Sequence, residues 1–369
     1  KMKKKIIVTA FSNLTTDQRI EKVCKTLHDN GYVIELIGCN YGCNQEVKRE
    51  YTVEKINLIS KSLKTAYFEF NWKLYQKLLN KSFENTVLLT NDLDTLLPNF
   101  LLSKKKKIPL VFDSHEIFTE MPAIQGKISQ KIWRFAENKM LPHIEFMMTE
   151  SESYAKWFHE KYNVTPVVVR NIPKKLPLQE KTLTQNPKII LYQGAINPSR
   201  GIDKAILAMK FIENANLIIV GDGPMRKKYE AFAVSNHLAH KVQFLGKKRP
   251  SELRTITQKA NVGISLEENN GVSYYYSLPN KVADYIQARV PLVMINFPEM
   301  IKIKSKYNVG EVIADHHPET IANAINNVLN IGKENYLDEL NKAAEDLCWE
   351  NEESKILSLF EKAFQSITK

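Results

Sequence analysis

Ten short runs of β-branched and other apolar residues recur along the chain, and this repetition constrains its fold more than any other feature. Amphipathic stretches such as 17–30 and 224–237 separate the runs. Continuous apolar strands that alternate with helices are typical of βαβ units and of buried parallel sheets. The predicted strands are Lys5–Ala10, Tyr32–Gly38, Thr86–Thr90, Ile108–Asp113, Pro166–Arg170, Lys188–Gly194, Leu217–Gly221, Val242–Gly246, Val262–Leu266 and Pro291–Ile295.

The number of strands predicts two domains. Ten strands exceed one compact sheet, and 369 residues suit two domains better than one or three. We therefore expect an α/β protein with two doubly wound, Rossmann-like domains that face each other across a cleft. Residues 171–187 contain three prolines and little periodicity, which indicates a linker. The expected domains are 1–170 and 188–346, with a C-terminal helix within 347–369.

Composition excludes several classes of protein. Charged residues are 25% and hydrophobic residues 43%, which argues against a disordered chain, and no window of about 18 apolar residues predicts a membrane-spanning helix. The four cysteines are too few for a disulfide scaffold and lack zinc spacing, so we expect reduced thiols in a cytoplasmic protein. The apolar run of Lys5–Ala10 is too short for a signal peptide, and a first strand is expected there.

The net charge of +11 is concentrated in the first half of the chain. Residues 1–181 hold 29 Lys and Arg against 20 Asp and Glu, whereas the remainder holds 23 against 21. This asymmetry indicates either an anionic partner, such as a membrane surface, a phosphorylated acceptor or nucleic acid, or only a solvated lysine-rich surface. No recognised nucleic-acid motif accompanies the charge, so nucleic-acid binding is the least favoured of these.

Two glycine-containing turns follow predicted strands of the second half. Residues 192–201 combine Gly194, which allows close approach of a ligand to the backbone, with Arg200 near the start of a predicted helix. Residues 217–224 place Gly221, Asp222 and Gly223 in a tight turn whose main chain can line a nucleotide pocket. Either turn alone is equally typical of an ordinary strand–turn–helix corner.

A third block, residues 277–285, predicts a helix with functional groups in its first turns. Ser277 is expected as the helix cap, with Pro279 in the first turn. Asn280 and Asp284 are four residues apart and share a helix face, next to Lys281. A carboxylate on that face can hold a ribose diol, and the cation can meet phosphate. The alternative is a surface helix with one Lys–Asp pair.

These three blocks, in this order and with Val242–Gly246 between them, resemble the large family-four group of retaining glycosyltransferases, which have the GT-B fold. Residues 91–95, 112–116 and 17–22 resemble blocks of its capsule, O-antigen and exopolysaccharide branch. The helix that begins near Trp349 resembles the family's last helix, which crosses back to the first domain. The resemblance covers nearly the whole chain.

The resemblance implies roles on the donor side. The turn from Gly194 to Gly201 holds the diphosphate of the donor, and Arg200 matches the family's usual lysine. Ala195 stands where many members carry a second arginine, so Lys281 becomes the second candidate cation. The main chain at Leu245 and Gly246 meets the base.

Asp284 matches the carboxylate of the family that holds the ribose. The carboxylate that contacts the donor sugar is missing, because Tyr276 occupies its position. Glu267 and Glu268 lie upstream on a loop and are candidates to replace it.

The resemblance also implies roles in the first half. His115 matches the histidine that family members direct at the donor sugar. Asp17 and Arg19, at the start of the first helix, are candidate acceptor-side residues.

Two further carboxylate pairs have structural interpretations. Asp92 and Asp94 resemble a metal-binding pair, but they open a helix, where acids favour the dipole. Glu150 and Glu152 invite a two-acid glycosidase reading, but they too precede a helix.

The resulting hypothesis is transfer of a sugar from a nucleoside-diphosphate sugar to a hydroxyl acceptor, with retention of configuration and without a metal or other cofactor. An acceptor carried on a lipid at the inner face of the cytoplasmic membrane, with peripheral contact to anionic lipid, suits the basic first half. Alternatives are a nucleotide-sugar epimerase on the same fold and a degenerate, non-catalytic scaffold, which the missing carboxylate at Tyr276 favours.

Overall fold

The computed structural model describes residues 3–43, 45–178 and 186–368. The chain divides into two compact units, each built around its own sheet. The first unit comprises Lys1–Arg170 and Glu352–Lys369, and the second comprises Asn171–Asn351. The last helix therefore begins in the second unit and contributes most of its length to the first.

The first unit contains a seven-stranded parallel sheet in the order β3-β2-β1-β4-β5-β6-β7. Its strands are β1 Lys5–Thr9, β2 Val33–Cys39, β3 Thr52–Ile56, β4 Thr86–Asn91, β5 Leu110–Ser114, β6 Phe146–Thr149 and β7 Val167–Val168. Its helices are α1 Gln18–Asp29, α2 Leu63–Leu79, α3 Leu96–Lys106, α4 Ile128–Met140 and α5 Glu152–Tyr162, with α14 Trp349–Gln365 from the C-terminus.

The strand order assigns these helices to two faces of the sheet. The step from β1 to β2 runs one way along the sheet, whereas the steps from β3 to β4, β4 to β5, β5 to β6 and β6 to β7 run the other way. Because parallel crossovers are right-handed, α1 lies on one face and α2 to α5 lie on the other. The C-terminal helix packs near α1, where Glu353 accepts a hydrogen bond from Thr26 (3.2 Å).

The second unit contains a six-stranded parallel sheet in the order β10-β9-β8-β11-β12-β13. Its strands are β8 Lys188–Gln193, β9 Ala215–Val220, β10 Val242–Gly246, β11 Val262–Ser265, β12 Leu292–Ile295 and β13 Gly310–Ile313. Its helices are α6 Ile202–Ala208, α7 Arg226–Ser235, α8 Pro250–Lys259, α9 Val272–Tyr275, α10 Asn280–Gln287, α11 Pro298–Lys306, α12 Pro318–Ile331 and α13 Leu337–Asp346.

All ten predicted strands are present, and the prediction of two doubly wound parallel sheets is confirmed. Strands β3, β6 and β13 were not predicted from the sequence. Of the expected linker, residues 171–178 form no helix or strand, and residues 179–185 lie outside the described part of the chain.

Each central strand is apolar on both faces because helices cover both sides of its sheet. Ile7, Leu88 and Val111 in the first unit, and Leu217 and Val293 in the second, are fully buried. This burial explains the continuous apolar runs of the sequence. Among the residues that the structure describes, no helix is both long and apolar enough to cross a bilayer.

Candidate active site

Polar side chains gather at the carboxyl edge of the first sheet. Asn91 ends β4, Asp113 lies at the end of β5, and Asp92 and His115 come directly after these strands. Because parallel strands end at the same edge, residues that are distant in sequence meet here.

His115 is held by three neighbouring side chains. Its Nε2 lies 3.1 Å from Oδ1 of Asn91 and 3.3 Å from the carboxylate of Asp113, and its Nδ1 lies 3.3 Å from the carboxylate of Asp92. The backbone N–H of His115 also donates to Asp92 (2.9 Å). Burial lowers the pKa of His115, but the two carboxylates outweigh it and raise that pKa to about 10. The ring is therefore cationic at neutral pH.

Arg19 contacts the same Asp113 as this histidine and is 2% exposed. Its Nε and Nη2 donate to the two oxygens of Asp113 at 2.9 and 2.6 Å, and its Nη1 donates to the carbonyl of Val169 at 2.6 Å. Burial raises the pKa of Asp113, but the charges of Arg19 and His115 lower it to about 2. Arg19 thus orients Asp113, which in turn orients His115. This burial leaves little of Arg19 open to an acceptor, and the acceptor-side role that the resemblance implies stays a prediction.

Asp17, the other predicted acceptor-side residue, caps α1. Its carboxylate accepts a hydrogen bond from the backbone N–H of Ile20 at 3.2 Å. Its contact with an acceptor stays a prediction.

The structure places the members of the two carboxylate pairs, Asp92 with Asp94 and Glu150 with Glu152, in different surroundings. Asp92 is the cap residue of the short helical turn that follows it, but its carboxylate makes no cap bond and instead contacts His115. Asp94 lies in the first turn of that helix, as expected. Glu152 does lie in the first turn of α5, and Glu150 lies 3.8 Å from Arg19. In the described part of the chain, the acidic and histidine groups close enough to share a metal ion are those of His28, Asp29 and Glu50, remote from His115.

Two glycine turns pack against each other at the carboxyl edge of the second sheet. The N–H of Gly194 donates to the carbonyl of Val220 (3.0 Å). Gly221 has a φ of +144°, and a Cβ there would lie 1.8 Å from the carbonyl oxygen of Gly194. A Cβ on Gly223 would lie 2.5 Å from the carbonyl oxygen of Ile196. Only glycine fits these close backbone approaches, so the turns form one surface, with Gly194 exposed.

Two cations adjoin this surface and share one buried carboxylate. Nζ of Lys281 lies 2.7 Å from Glu267, whose other oxygen accepts from Ser265 (2.6 Å), and Arg200 lies 3.9 Å from Glu267. Burial opposes both charges, but their attraction raises the pKa of Lys281 and lowers that of Glu267. A Cβ added to Gly194 would lie 3.5 Å from the Lys281 side chain. Positive charge therefore exceeds negative charge beside an exposed turn.

The ribose candidate Asp284 is oriented from β8. Its Oδ2 accepts from Nε2 of Gln193 (3.2 Å), and Oε1 of Gln193 accepts from Thr257 (2.7 Å). Asn280 is exposed at the first position of α10. The predicted cap, Ser277, is wrong: Pro279 occupies the cap position, and the Ser277 hydroxyl donates to the carbonyl of Tyr274.

The remaining donor-side candidates lie at the same edge. The N–H of Gly221 donates to the carbonyl of Gly246 (3.0 Å), and Leu245 immediately precedes that glycine in β10. The carboxylate of Asp222 accepts the N–H of Gly223 (2.8 Å) and lies 3.9 Å from Arg226.

The structure separates the two candidates for the missing carboxylate. Glu267 is fully buried and bonded to Lys281 and Ser265, which makes it a positioning residue rather than a sugar contact. Glu268 is half-buried, and its backbone N–H donates to the carbonyl oxygen of Ser199 (3.0 Å). Its side chain stays a candidate for the sugar contact.

One residue that supports the loop at Glu267 and Glu268 was not predicted from the sequence. Nε2 of His316, after β13, lies 3.0 Å from the carbonyl oxygen of Leu266, the residue before Glu267. Recognition of β13 as a strand would have placed His316 at the carboxyl edge.

The second unit also matches a known sequence profile. Residues 175–346 match the profile of glycosyl transferases group 1. This match covers most of the second unit and just under half of the chain. Every donor-side candidate named above lies within the matched residues.

Known proteins resemble longer parts of the chain. An uncharacterized glycosyltransferase of Methanocaldococcus jannaschii is 26% identical over 186 residues, which are 48% of this chain and 46% of the relative. The chain spans less than half the length of the curated relatives that it matches.

Solved structures share the fold of both units. Sucrose-phosphate synthase of Thermosynechococcus elongatus has a TM-score of 0.81 at 15% identity, with 99% of this chain and all of the other covered. HepE of Anabaena, in complex with UDP and glucose, has a TM-score of 0.71 at 12% identity, with both chains covered completely. The GT-B fold that the sequence predicted is therefore confirmed.

Proposed function

We propose that this protein is a glycosyltransferase that moves a sugar from a nucleoside-diphosphate sugar to a hydroxyl acceptor. One observation carries the proposal: Arg200 and Lys281 share the single buried carboxylate Glu267 beside the exposed turn at Gly194. The match of residues 175–346 to glycosyl transferases group 1 supports it.

This arrangement suits a leaving diphosphate. When the bond between sugar and phosphate breaks, negative charge develops on the phosphate oxygen. Two fixed cations that share one carboxylate can stabilise this oxygen without reorganisation. Such preorganised electrostatic stabilisation is often the largest catalytic contribution. Glu267 fixes Lys281 by an ion pair rather than by contact with substrate.

The rest of the nucleotide has candidate partners around the cations. We assign the ribose diol to Asp284, which Gln193 orients, and the exposed Asn280 to the sugar or phosphate. The main chain at Leu245 and Gly246 would meet the base. HepE, a protein of the same fold, was crystallised with UDP and glucose, so uridine diphosphate sugars are the first donors to test.

On the first unit we assign His115 to the donor sugar, toward which its cationic ring supplies positive charge; both ring nitrogens already face the side chains that hold the ring. Glu268 is the candidate to replace the carboxylate missing at Tyr276.

We further propose that transfer retains the anomeric configuration and requires no divalent ion. The argument for the second part is that Arg200 and Lys281 supply the positive charge that an ion supplies elsewhere. In the retaining route that we favour, the hydroxyl attacks the face from which the diphosphate departs, and the departing phosphate oxygen accepts the hydroxyl proton.

We propose a cytoplasmic reaction on an acceptor hydroxyl carried by a lipid. All four cysteines are free thiols, and three of them are buried, which suits a reducing compartment.

The decisive experiment begins with donors. UDP-, GDP-, ADP- and dTDP-sugars are screened by thermal shift, since a ligand of the folded state raises its melting temperature. Transfer of the best donor is then measured with and without EDTA, and the anomer of the product is determined by NMR. Arg200→Ala should lower turnover by about 100- to 1000-fold, whereas Arg254→Ala, at an exposed position on α8, should leave it unchanged. Near-normal turnover of Arg200→Ala would remove the assignment.

A non-catalytic scaffold is the second candidate, which Tyr276 favours because it replaces the expected carboxylate. Donor binding without transfer to any acceptor extract would support the scaffold. Conversion of a UDP-sugar into an epimer without an acceptor would instead indicate an epimerase.

A further inference from the structure

Three helices of the first unit expose large apolar side chains to solvent. On α4, Ile128 is 78% exposed and Phe135 is 65% exposed, and on α2, Phe68 is 80% exposed. The remaining members of this group are Trp72 on α2, Leu97 and Leu101 on α3, and Ile132 on α4. We call these seven side chains the apolar face.

The fold places the apolar face on one side of the first sheet. The crossovers put α2, α3 and α4 on the same side, in this order. The rings of Tyr67 on α2 and Trp133 on α4 are 5.6 Å apart, so the outer helices also meet. Within α4, Ile128, Ile132 and Phe135 follow the spacing of one helical stripe. Clusters of exposed apolar side chains of this extent mark interaction sites on soluble proteins.

On α3 and α4, the exposed charges that border the apolar face are of one sign. On α2, the acid beside Phe68 is Glu69, which is paired with Lys73 at 2.6 Å. Residues 96–106 of α3 contain no acidic residue, and the single acid of residues 127–140 is Glu137, which is buried and bonded to Thr119 and Tyr162. Exposed lysines at positions 104, 105, 127, 131 and 139 accompany these two helices. The surface is therefore both apolar and cationic.

This combination fits a lipid surface better than a protein. Lysine is depleted at the cores of protein–protein interfaces. Helices that lie in the plane of a bilayer carry Trp, Phe and Leu on the buried side, with Lys and Arg beside them. Anionic headgroups attract the lysines, while the apolar side chains enter the boundary between headgroups and acyl chains.

We propose that the first unit binds anionic lipid bilayers through the apolar face of α2, α3 and α4. The three helices begin after the carboxyl ends of their strands, so Phe68, Leu97 and Ile128 lie at the same edge of the sheet as His115. Docking by this face brings that edge to the bilayer. The inference does not rest on the proposed transfer reaction, but it gives a lipid-carried acceptor a short route to the first unit.

The experiment measures partition of the full chain onto vesicles by co-sedimentation. Vesicles of phosphatidylcholine alone are compared with vesicles that also contain phosphatidylglycerol. We expect binding to the anionic vesicles that weakens with added salt. The double variant Ile132→Ser with Phe135→Ser should lose at least about tenfold in partition, because two apolar side chains no longer enter the lipid.

Matched controls come from the second unit. Phe211→Ser with Val234→Ser removes two exposed apolar side chains elsewhere and should leave partition unchanged. Lys131→Gln and Lys139→Gln should each lower partition by about fivefold, while Lys227→Gln with Lys228→Gln on α7 should not. All the altered side chains are exposed, so unchanged thermal unfolding and unchanged binding of the second unit to its nucleotide sugar establish an intact fold.

Three outcomes would overturn the proposal. The first is that the wild-type protein does not partition onto any vesicle, even though it binds a nucleotide sugar. The second is equal loss in the control from the second unit. The third is self-association in solution that the double variant abolishes, which would assign the apolar face to a second copy of the chain.

Discussion

The two units carry charged clusters at the same edge of similar sheets, but the clusters are built differently. In the first, the cations Arg19 and His115 meet the carboxylates of Asp113 and Asp92, and Glu150 lies 3.8 Å from Arg19. Positive charge is therefore not in excess there, and we call this cluster balanced. In the second, Arg200 and Lys281 share Glu267, and positive charge is in excess beside an exposed turn.

This difference indicates what each cluster can do. A further charge added to a balanced buried network would be unpaired, which costs free energy. Such a network can, however, fix a side chain in one orientation and one protonation state. A cluster with an excess of one sign is stabilised when a ligand of the other sign arrives. The first cluster therefore positions His115, and the second is suited to binding an anion.

The largest test of this comparison removes the cation of the balanced cluster. Arg19→Met leaves Asp113 as a buried carboxylate without its bidentate partner, which should cost about 3–5 kcal/mol of stability. Hydrogen exchange of the β5 amides measures this loss in the first unit alone.

Arg134→Met is the control for that change. Arg134 pairs with Glu120 at 2.8 Å on the surface, with 44% of its side chain exposed, and its loss should cost less than about 1 kcal/mol. If the two variants lose similar stability, the first cluster is not a balanced buried network.

A second test uses pH. The pKa of His115 is raised to about 10 in the folded protein, against about 6.5 for an unperturbed histidine. The protonated ring therefore contributes stability that is fully present below about pH 6.5 and is lost as the pH rises toward 10. The stability advantage of the wild type over His115→Gln should shrink across this range by on the order of 3 kcal/mol.

Direct titration of the ring by NMR checks the cause. Asp113→Asn should lower the pKa of His115 by at least about one unit, because it removes an opposite charge at 3.3 Å. An unchanged pKa would show that the carboxylate does not control the ring.

The sequence indicated the second cluster better than the first. Gly194, Arg200 and Lys281 fall in short blocks after strands, where local spacing predicts a turn and a helix start. The link between Arg19 and Asp113 joins residues 94 positions apart, and no local pattern reports it. The pairing of Lys281 with Glu267 was missed for the same reason, since burial of Glu267 depends on how α10 packs on β11.

The missed strands have a related cause. The edge strands β3 and β13 carry polar residues such as Glu54 and Glu311, because each has a neighbouring strand on only one side. Their sequences lack the continuous apolar run that identifies a central strand. In contrast, β6 (Phe146–Thr149) is buried but only four residues long, which is short for recognition by pattern.

A third test concerns the two glycine turns of the second cluster. Gly221→Ala would place a Cβ 1.8 Å from the carbonyl oxygen of Gly194 at a φ of +144°, so the turns must separate. We expect a loss of about 2 kcal/mol or more beyond that of Gly126→Ala, which has a positive φ but no neighbour within 4 Å. Hydrogen exchange of the β8 and β9 amides reports this loss, and weaker donor binding should accompany it. Equal losses at the two glycines would mean that the turns do not depend on their close approach.

The smallest test asks whether Asp17 belongs to the first cluster or only to its helix. Asp17 caps α1 through the N–H of Ile20, and Asp17→Ala should cost about 1 kcal/mol of stability in the first unit. Asp17→Ser keeps a capping oxygen but removes the charge, so it should recover most of that loss. If Asp17 is only a cap, Asp17→Ser also keeps the acceptor KM of the wild type. A raised KM in Asp17→Ser at normal stability would instead support the acceptor contact that the resemblance implies, because the loss of the charge alone would then weaken acceptor binding.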